Sequence, residues 1–152
     1  MTVSAAEIQR NFETESKGLR QFIALLEREQ QMLLSPEVSP LLELATEKTR
    51  LADNLAANAR QRQKILPSAP GAAETWLKKN APDACDAWHD LLALATRARQ
   101  MNQTNGELIQ VRLRYNQQAL HALISASQQA AGVYGPNGQP SLGGSGRTLG
   151  SG

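Results

Sequence analysis

The sequence predicts an all-α fold, an elongated antiparallel three-helix coiled coil that ends in a disordered C-terminal tail. Leu and Ala together number 43 of the 152 residues, whereas Val and Ile number 9, so the residues that favour pleated sheets are scarce. Apolar side chains also recur at spacings of three and four through long segments without proline, which is typical of coiled-coil helices. We therefore expect a helical domain at 1–131 and a disordered tail at 132–152, where 8 of the 21 residues are glycine.

The first helix is predicted over about 5–34. It begins at a capping box, in which Ser4 and Glu7 satisfy free amides of the first turn. It ends before Pro36, because proline disfavours helical geometry in the residue that precedes it. Two glutamates interrupt its heptad seam, which needs a partner helix. The seam consists of Ile8, Phe12, Glu15, Leu19, Phe22, Leu26, Glu29 and Leu33.

The second helix is predicted over about 40–66, with Ser39 as its cap and Pro40 at its first position. Its seam is apolar at first and more polar towards its end. A short helical connector at 72–80 follows, and Pro82 ends it after a turn or two. The seam of the second helix consists of Leu41, Leu44, Lys48, Leu51, Leu55, Asn58, Arg62 and Ile65.

The third and longest helix is predicted over about 83–131, where no proline occurs and Gly106 is the only glycine. If it runs back along the second helix, residues from about 109 onward extend beyond the hairpin and lack a neighbour. Asn102 and Asn105 are candidate seam residues, since polar side chains in a seam fix the register of packed helices. The seam is predicted to consist of Cys85, Trp88, Leu92, Ala95, Arg99, Asn102, Gly106, Ile109, Leu113, Asn116, Leu120 and Leu123.

An apolar stripe occupies the part of this helix that lacks a neighbour, and such a stripe usually marks an interaction surface. We expect it to bind an amphipathic helix of a partner protein. One alternative remains open, that helix 1 or a second copy covers the stripe, and the second copy would make the chain a self-associating scaffold or adaptor. The candidate client-binding residues are Ile109, Leu113, Leu120, Leu123 and Ile124.

Arginines are common in the C-terminal part of the chain, where Glu107 is the only carboxylate side chain after residue 90. They either form a solvated helix face or flank the stripe and select an acidic partner. These arginines are Arg97, Arg99, Arg112, Arg114 and Arg147.

Motifs of nucleotide, dinucleotide and serine-nucleophile chemistry do not occur in the sequence, so we expect no enzymatic activity, no catalytic residue and no cofactor. Asp86 and His89 lie three residues apart beside Cys85, as in some metal-binding bundles, but His121 lies too far along the helix to complete a site. We expect no bound metal and interpret Cys85 as a small core residue. A helical-bundle metalloenzyme is the disfavoured alternative.

The charge and hydropathy of the chain bear on its location and partners. A formal net charge of +2 gives little attraction to nucleic acid. The sequence contains neither a long apolar run nor the pattern of a signal peptide. We expect a cytoplasmic protein without nucleic-acid binding or membrane insertion.

Three segments of the third helix and its tail form a recognisable series: NQTNGELI at 102–109, RYNQQAL at 114–120 and YGPNGQ at 134–139. Their order resembles that of FlgN-type flagellar export chaperones. The resemblance implies a chaperone that binds the C-terminal amphipathic helix of hook-associated proteins, the hook–filament junction subunits, and prevents their premature assembly. It also implies delivery to the cytoplasmic domain of the export gate, with the export ATPase complex as a further candidate partner.

The resemblance also assigns a role to the start of the tail. It makes Tyr134 and Gly135 a docking site for the export gate, which suits the large contact area and low ordering entropy of tyrosine. The alternative is that Tyr134 folds back on the third helix.

Overall fold

The computed structural model describes the backbone of residues 3–134 and the side chains of residues 3–118 and 121. Four α-helices and one 3₁₀ turn occur in this part of the chain, and it contains no strand, so the all-α prediction is confirmed there. The chain divides into two units, Met1–Leu108 and Ile109–Gly152. The elements are α1 (Ala5–Leu33), α2 (Ser39–Ile65), α3 (Ala72–Asn80), a 3₁₀ turn (Pro82–Ala84) and α4 (Cys85–Tyr134).

The predicted capping box begins α1. The Glu7 amide donates to Ser4 Oγ at 3.2 Å, and the Ser4 amide donates to Glu7 Oε2 at 2.8 Å. The pKa of Glu7 is lowered mainly by the hydrogen bond that its carboxylate accepts from the Ser4 amide, and to a smaller extent by a hydrogen bond with the Ser4 side chain. The ionised cap therefore stabilises α1 above the ordinary carboxylate pKa, and this contribution is lost as the pH falls through the lowered value.

The start of α2 differs from the prediction. Ser39 is the first helical residue, and the cap position belongs to Val38, which has no side-chain hydrogen bond to the helix. Pro40 lies in the first turn, where its missing amide would have no helical partner in any case. Ser35 is the serine that binds a free amide here, since its Oγ accepts from the Glu37 amide at 3.4 Å.

Helices α1 and α2 are antiparallel. Glu15 near the start of α1 pairs with Arg62 near the end of α2, and Glu29 pairs with Lys48 two heptads away on each helix. Gly18 permits close approach between them, because a Cβ at this position would lie only 3.2 Å from Leu55 Cδ2. The core therefore extends along both helices.

The connector folds onto the same core. Gly71 precedes α3 with a φ of 75°, a conformation that favours glycine. Leu77 of α3 has no exposed surface, and Ala81 and Ala84 are each 1% exposed. Burial of these side chains anchors α3 and the 3₁₀ turn.

The first part of α4 runs parallel to α1 within the N-terminal unit. The rings of Phe12 and Trp88 lie 5.3 Å apart at the beginning of both helices. Further along, the Asn105 side chain donates to the Leu26 carbonyl of α1 at 2.8 Å. Helix α1 therefore contacts both α2 and α4 within this unit.

The seam predicted for α4 is shifted by one residue in part. Leu92 is 42% exposed, whereas Leu91 is buried, and both Arg99 and Asn102 are exposed. Leu91 and Leu92 are identical in type, so hydrophobicity alone could not choose between them. Among the described side chains of α4, the buried ones are Trp88, Leu91, Ala98 and Asn105.

The end of α4 also differs from the prediction. The helix continues to Tyr134, so residues 132–134, assigned to the tail from the sequence, are helical. One glycine within a helix costs about 1 kcal/mol, and the first proline after residue 82 is Pro136, which disfavours helix only from the residue before it. The remainder of the predicted tail, 135–152, lies outside the described residues.

Candidate functional site

The predicted client-binding residues lie in the C-terminal unit, on α4. Ile109 is half-buried and Leu113 is 54% exposed. Leu120, Leu123 and Ile124 belong to the same helix, but their side chains lie outside the described residues.

Two further apolar side chains are exposed close to Leu113. Val111 is 54% exposed and Tyr115 is 71% exposed, and they lie four residues apart, on one side of α4. The heptad analysis missed them because it followed a single seam. Their spacing of four residues, which places two side chains on the same side of a helix, is the sequence feature that could have identified them. The described start of this unit therefore carries exposed apolar side chains on two sides of one helix.

The arginines of α4 have different surroundings. Arg97 lies in the N-terminal unit, where its guanidinium is 3.0 Å from a carboxylate oxygen of Glu27 on α1, so it stabilises the chain's own packing. Arg99 and Arg114 are exposed and Arg112 is half-buried. Arg147 lies outside the described residues. Among the described arginines, Arg112 and Arg114 accompany the exposed apolar residues.

The two candidate seam asparagines have different positions. Asn105 is 1% exposed, and its Nδ2 donates to the Leu26 carbonyl and to Glu29 Oε1 at 3.0 Å. Asn102 is exposed on the surface of α4. Lys48 completes the buried layer from α2, with its ammonium 3.0 Å from Glu29. One polar residue from each of three helices thus meets here, three residues before the boundary between the units.

A second polar layer lies at the other end of the N-terminal unit. Arg62 Nε donates to both carboxylate oxygens of Glu15, at 2.7 and 2.9 Å. The same guanidinium lies 5.8 Å from the centre of the Trp88 ring, within range of a cation–π interaction. The feature of the sequence that could have indicated the two ion pairs is the equal spacing, since two acidic residues lie fourteen residues apart on α1 and two basic residues lie fourteen residues apart on α2.

The candidate metal ligands of the sequence do not form a metal site in the described structure. His89 Nε2 lies 2.9 Å from Glu74 Oε1, and this hydrogen bond, with the charges of His89 and Lys78, lowers the pKa of Glu74. Cys85 is half-buried. In the part of the chain that the structure describes, no three His, Cys, Asp or Glu residues are grouped so as to hold a metal ion.

None of the described helices combines the length with the apolar character needed to cross a bilayer.

The resemblance of the three segments to the FlgN-type chaperones can be compared with a match over most of the chain. The family model described as FlgN protein matches residues 1–141, which include all of α1 to α4. The chain belongs to the FlgN family. The match also includes Tyr134 and Gly135. Tyr134 is the last residue of α4, its side chain is not described, and Gly135 lies outside the described residues.

One curated relative is named for flagellar synthesis. The Flagella synthesis protein FlgN of Escherichia coli is 39% identical to this FlgN-family chain over 62 residues. The aligned segment covers 41% of the chain and 44% of that relative, so the match spans less than half of either protein. No solved structure matches the chain.

Proposed function

We propose that this FlgN-family protein is a cytoplasmic, non-enzymatic chaperone of flagellar type III export. It binds the C-terminal amphipathic helix of hook-associated proteins, the hook–filament junction subunits, and so prevents their premature assembly. It then delivers them to the cytoplasmic domain of the export gate. Membership of the FlgN family and the name of the Escherichia coli relative support the flagellar part of this proposal.

The observation that carries the client-binding part is the exposure of Leu113 at the start of the C-terminal unit, where Val111 and Tyr115 add exposed apolar surface on another side of the same helix. Fully burying one such side chain contributes roughly 1.5 to 3 kcal/mol. An amphipathic client helix offers the matching apolar stripe, and its helix-in-groove binding would remove the client's own assembly surface from solution. In this proposal Ile109, Leu113, Leu120, Leu123 and Ile124 contact the client.

Charge adds selectivity to this contact. Arg114 is exposed beside Leu113, and a client helix with acidic residues along the edges of its apolar stripe would complement it. Exposed charges at the rim of an interface act mainly on the association rate and on the choice of partner. An acidic client is therefore expected to bind faster at low ionic strength.

Replacing Leu113 with aspartate tests the client-binding surface. We expect at least about a tenfold loss of affinity for the C-terminal segment of a hook-associated protein, because the change places a charge in an apolar contact. Copurification and isothermal titration with each candidate hook-associated protein measure it. Leu42→Asp is the matched control, since Leu42 is 69% exposed on α2 of the N-terminal unit, and it should leave client affinity unchanged.

Unchanged affinity of the Leu113→Asp protein would contradict the proposed surface. Light scattering with and without the client segment separates the chaperone from a self-associating scaffold. A scaffold would stay oligomeric and would not respond to the segment.

The proposed docking of Tyr134 and Gly135 at the export gate has its own test. Tyr134→Ala is expected to leave client affinity intact while weakening binding to the cytoplasmic domain of the gate, because the variant loses the aromatic anchor alone. Pull-down with that domain and a secretion assay measure the effect. If Tyr134→Ala instead abolished client binding, Tyr134 would belong to the client-binding surface. The export ATPase complex is a further candidate partner for the same assay.

A further inference from the structure

An open groove of about 760 Å³ lies in the N-terminal unit, between the loop that follows α2 and one face of α3. Pro67 and Pro70 line the loop side. Residues of α3 at helical spacing line the other side. They are Ala72, Thr75, Trp76, Lys79 and Asn80.

The walls of this groove are fixed by the core behind them. Leu66 precedes the loop and is 7% exposed, and Leu77 of α3 is fully buried. Trp76 is half-buried and packs on the core with part of its ring. The groove is therefore preformed, and a bound segment would not have to order it.

The polar groups of the groove leave a positive charge available. The Thr75 hydroxyl donates to the Gly71 carbonyl at 3.3 Å, and the Asn80 amide donates to the Trp76 carbonyl at 2.8 Å. Lys79 is exposed and makes no ion pair in the described structure. None of the described residues around the groove has a carboxylate, and Glu74 of α3 instead pairs with His89.

We propose that this groove binds an extended apolar segment of a partner protein that carries a carboxylate. The proline rings and the indole of Trp76 form a rigid apolar surface of the kind that holds extended peptides. Lys79, at the edge of this surface, provides the complementary charge. This inference does not depend on the proposed client-binding surface, because the groove and that surface belong to different units.

Selection from a phage library of random peptides, about 12 residues long, against the full chain tests the proposal. Since the groove offers aromatic and aliphatic surface beside one lysine, the enriched peptides are expected to combine Asp or Glu with apolar residues. Binding of these peptides, synthesised and titrated, should move the indole N–H resonance of Trp76 and leave that of Trp88 in place.

Two substitutions of equal charge change give the decisive comparison. Lys79→Glu is expected to weaken binding of the enriched peptides at least about tenfold, because the segment then meets a like charge. Lys17→Glu, at an exposed lysine of α1, should leave it unchanged. Trp76→Ala should also abolish binding, but because Trp76 packs on the core, the exposed Lys79 variant remains the primary test.

Three outcomes would overturn the proposal. The library yields no enriched class, the enriched peptides lack acidic residues, or they bind the Lys79→Glu protein as well as the wild type. Sedimentation of the full chain adds a fourth outcome. Concentration-dependent association that Lys79→Glu removes would assign the groove to a second copy instead.

Discussion

Replacing Phe12 with alanine is expected to lower the free energy of unfolding by about 4 kcal/mol, because a fully buried phenylalanine leaves a cavity that its neighbours fill incompletely. Phe12 has no exposed surface, and its ring contacts Trp88. The substitution removes both the burial and the aromatic contact, which itself contributes roughly 0.5 to 1.5 kcal/mol. A loss of this size is a large part of the total stability of a small domain.

Urea unfolding followed by circular dichroism measures this effect. Leu42→Ala is the matched control, because Leu42 is mostly exposed, and it should change the free energy of unfolding by no more than about 0.5 kcal/mol. Equal losses in the two variants would show that Phe12 does not contribute to a packed core between α1 and α4.

Replacing Arg62 with alanine is expected to cost about 3 kcal/mol of unfolding free energy, since removing one partner leaves an uncompensated buried charge. The Glu15 side chain is 5% exposed and that of Arg62 26%, so the carboxylate cannot recover its hydration without local opening. The variant also loses the contact of the guanidinium with Trp88.

An exposed ion pair of the same chain provides the comparison. Arg97 pairs with Glu27, and their side chains are 60% and 51% exposed, so Arg97→Ala should cost less than about 1 kcal/mol. The double change of Glu15 and Arg62 to leucine should regain most of the stability lost in Arg62→Ala, because replacing a buried pair with apolar residues is often neutral. Equal losses in Arg62→Ala and Arg97→Ala would contradict a special role for the buried pair.

The architecture of α1 could be predicted in detail from local chemistry. The capping box has the expected pairing, and every residue of the predicted seam is buried except Leu33, which is half-buried. Even the two glutamates of the seam are buried. Heptad spacing places side chains on one face of a helix before any partner is specified, so this information is contained in the sequence.

The packing of α4 could be predicted only in part. Its existence and most of its length follow from the absence of proline between residues 82 and 136, but its inward face does not, because leucine occupies both position 91 and position 92. The choice depends on how α4 packs against the rest of the unit, which buries Leu91, Ala98 and Asn105. This is a property of two helices together.

The candidate surfaces were likewise predicted from the sequence only in part. Leu113 was predicted from the heptad pattern, whereas Val111 and Tyr115 were not. The groove beside Trp76 could not be predicted, since its two sides are a loop and a helix whose distance depends on how Leu77 packs.

By itself, the sequence determined the helical class, the position of each helix break to within a few residues, and the similarity to the FlgN family. The tertiary structure alone decided that Glu15 meets Arg62, that Asn105 rather than Asn102 is buried, and that Trp76 borders a groove. The physical reason is the distance along the chain over which each kind of interaction acts. Capping, helix propensity and proline breaks act between residues a few positions apart, whereas ion-pair partners and groove walls come from segments that only packing brings together.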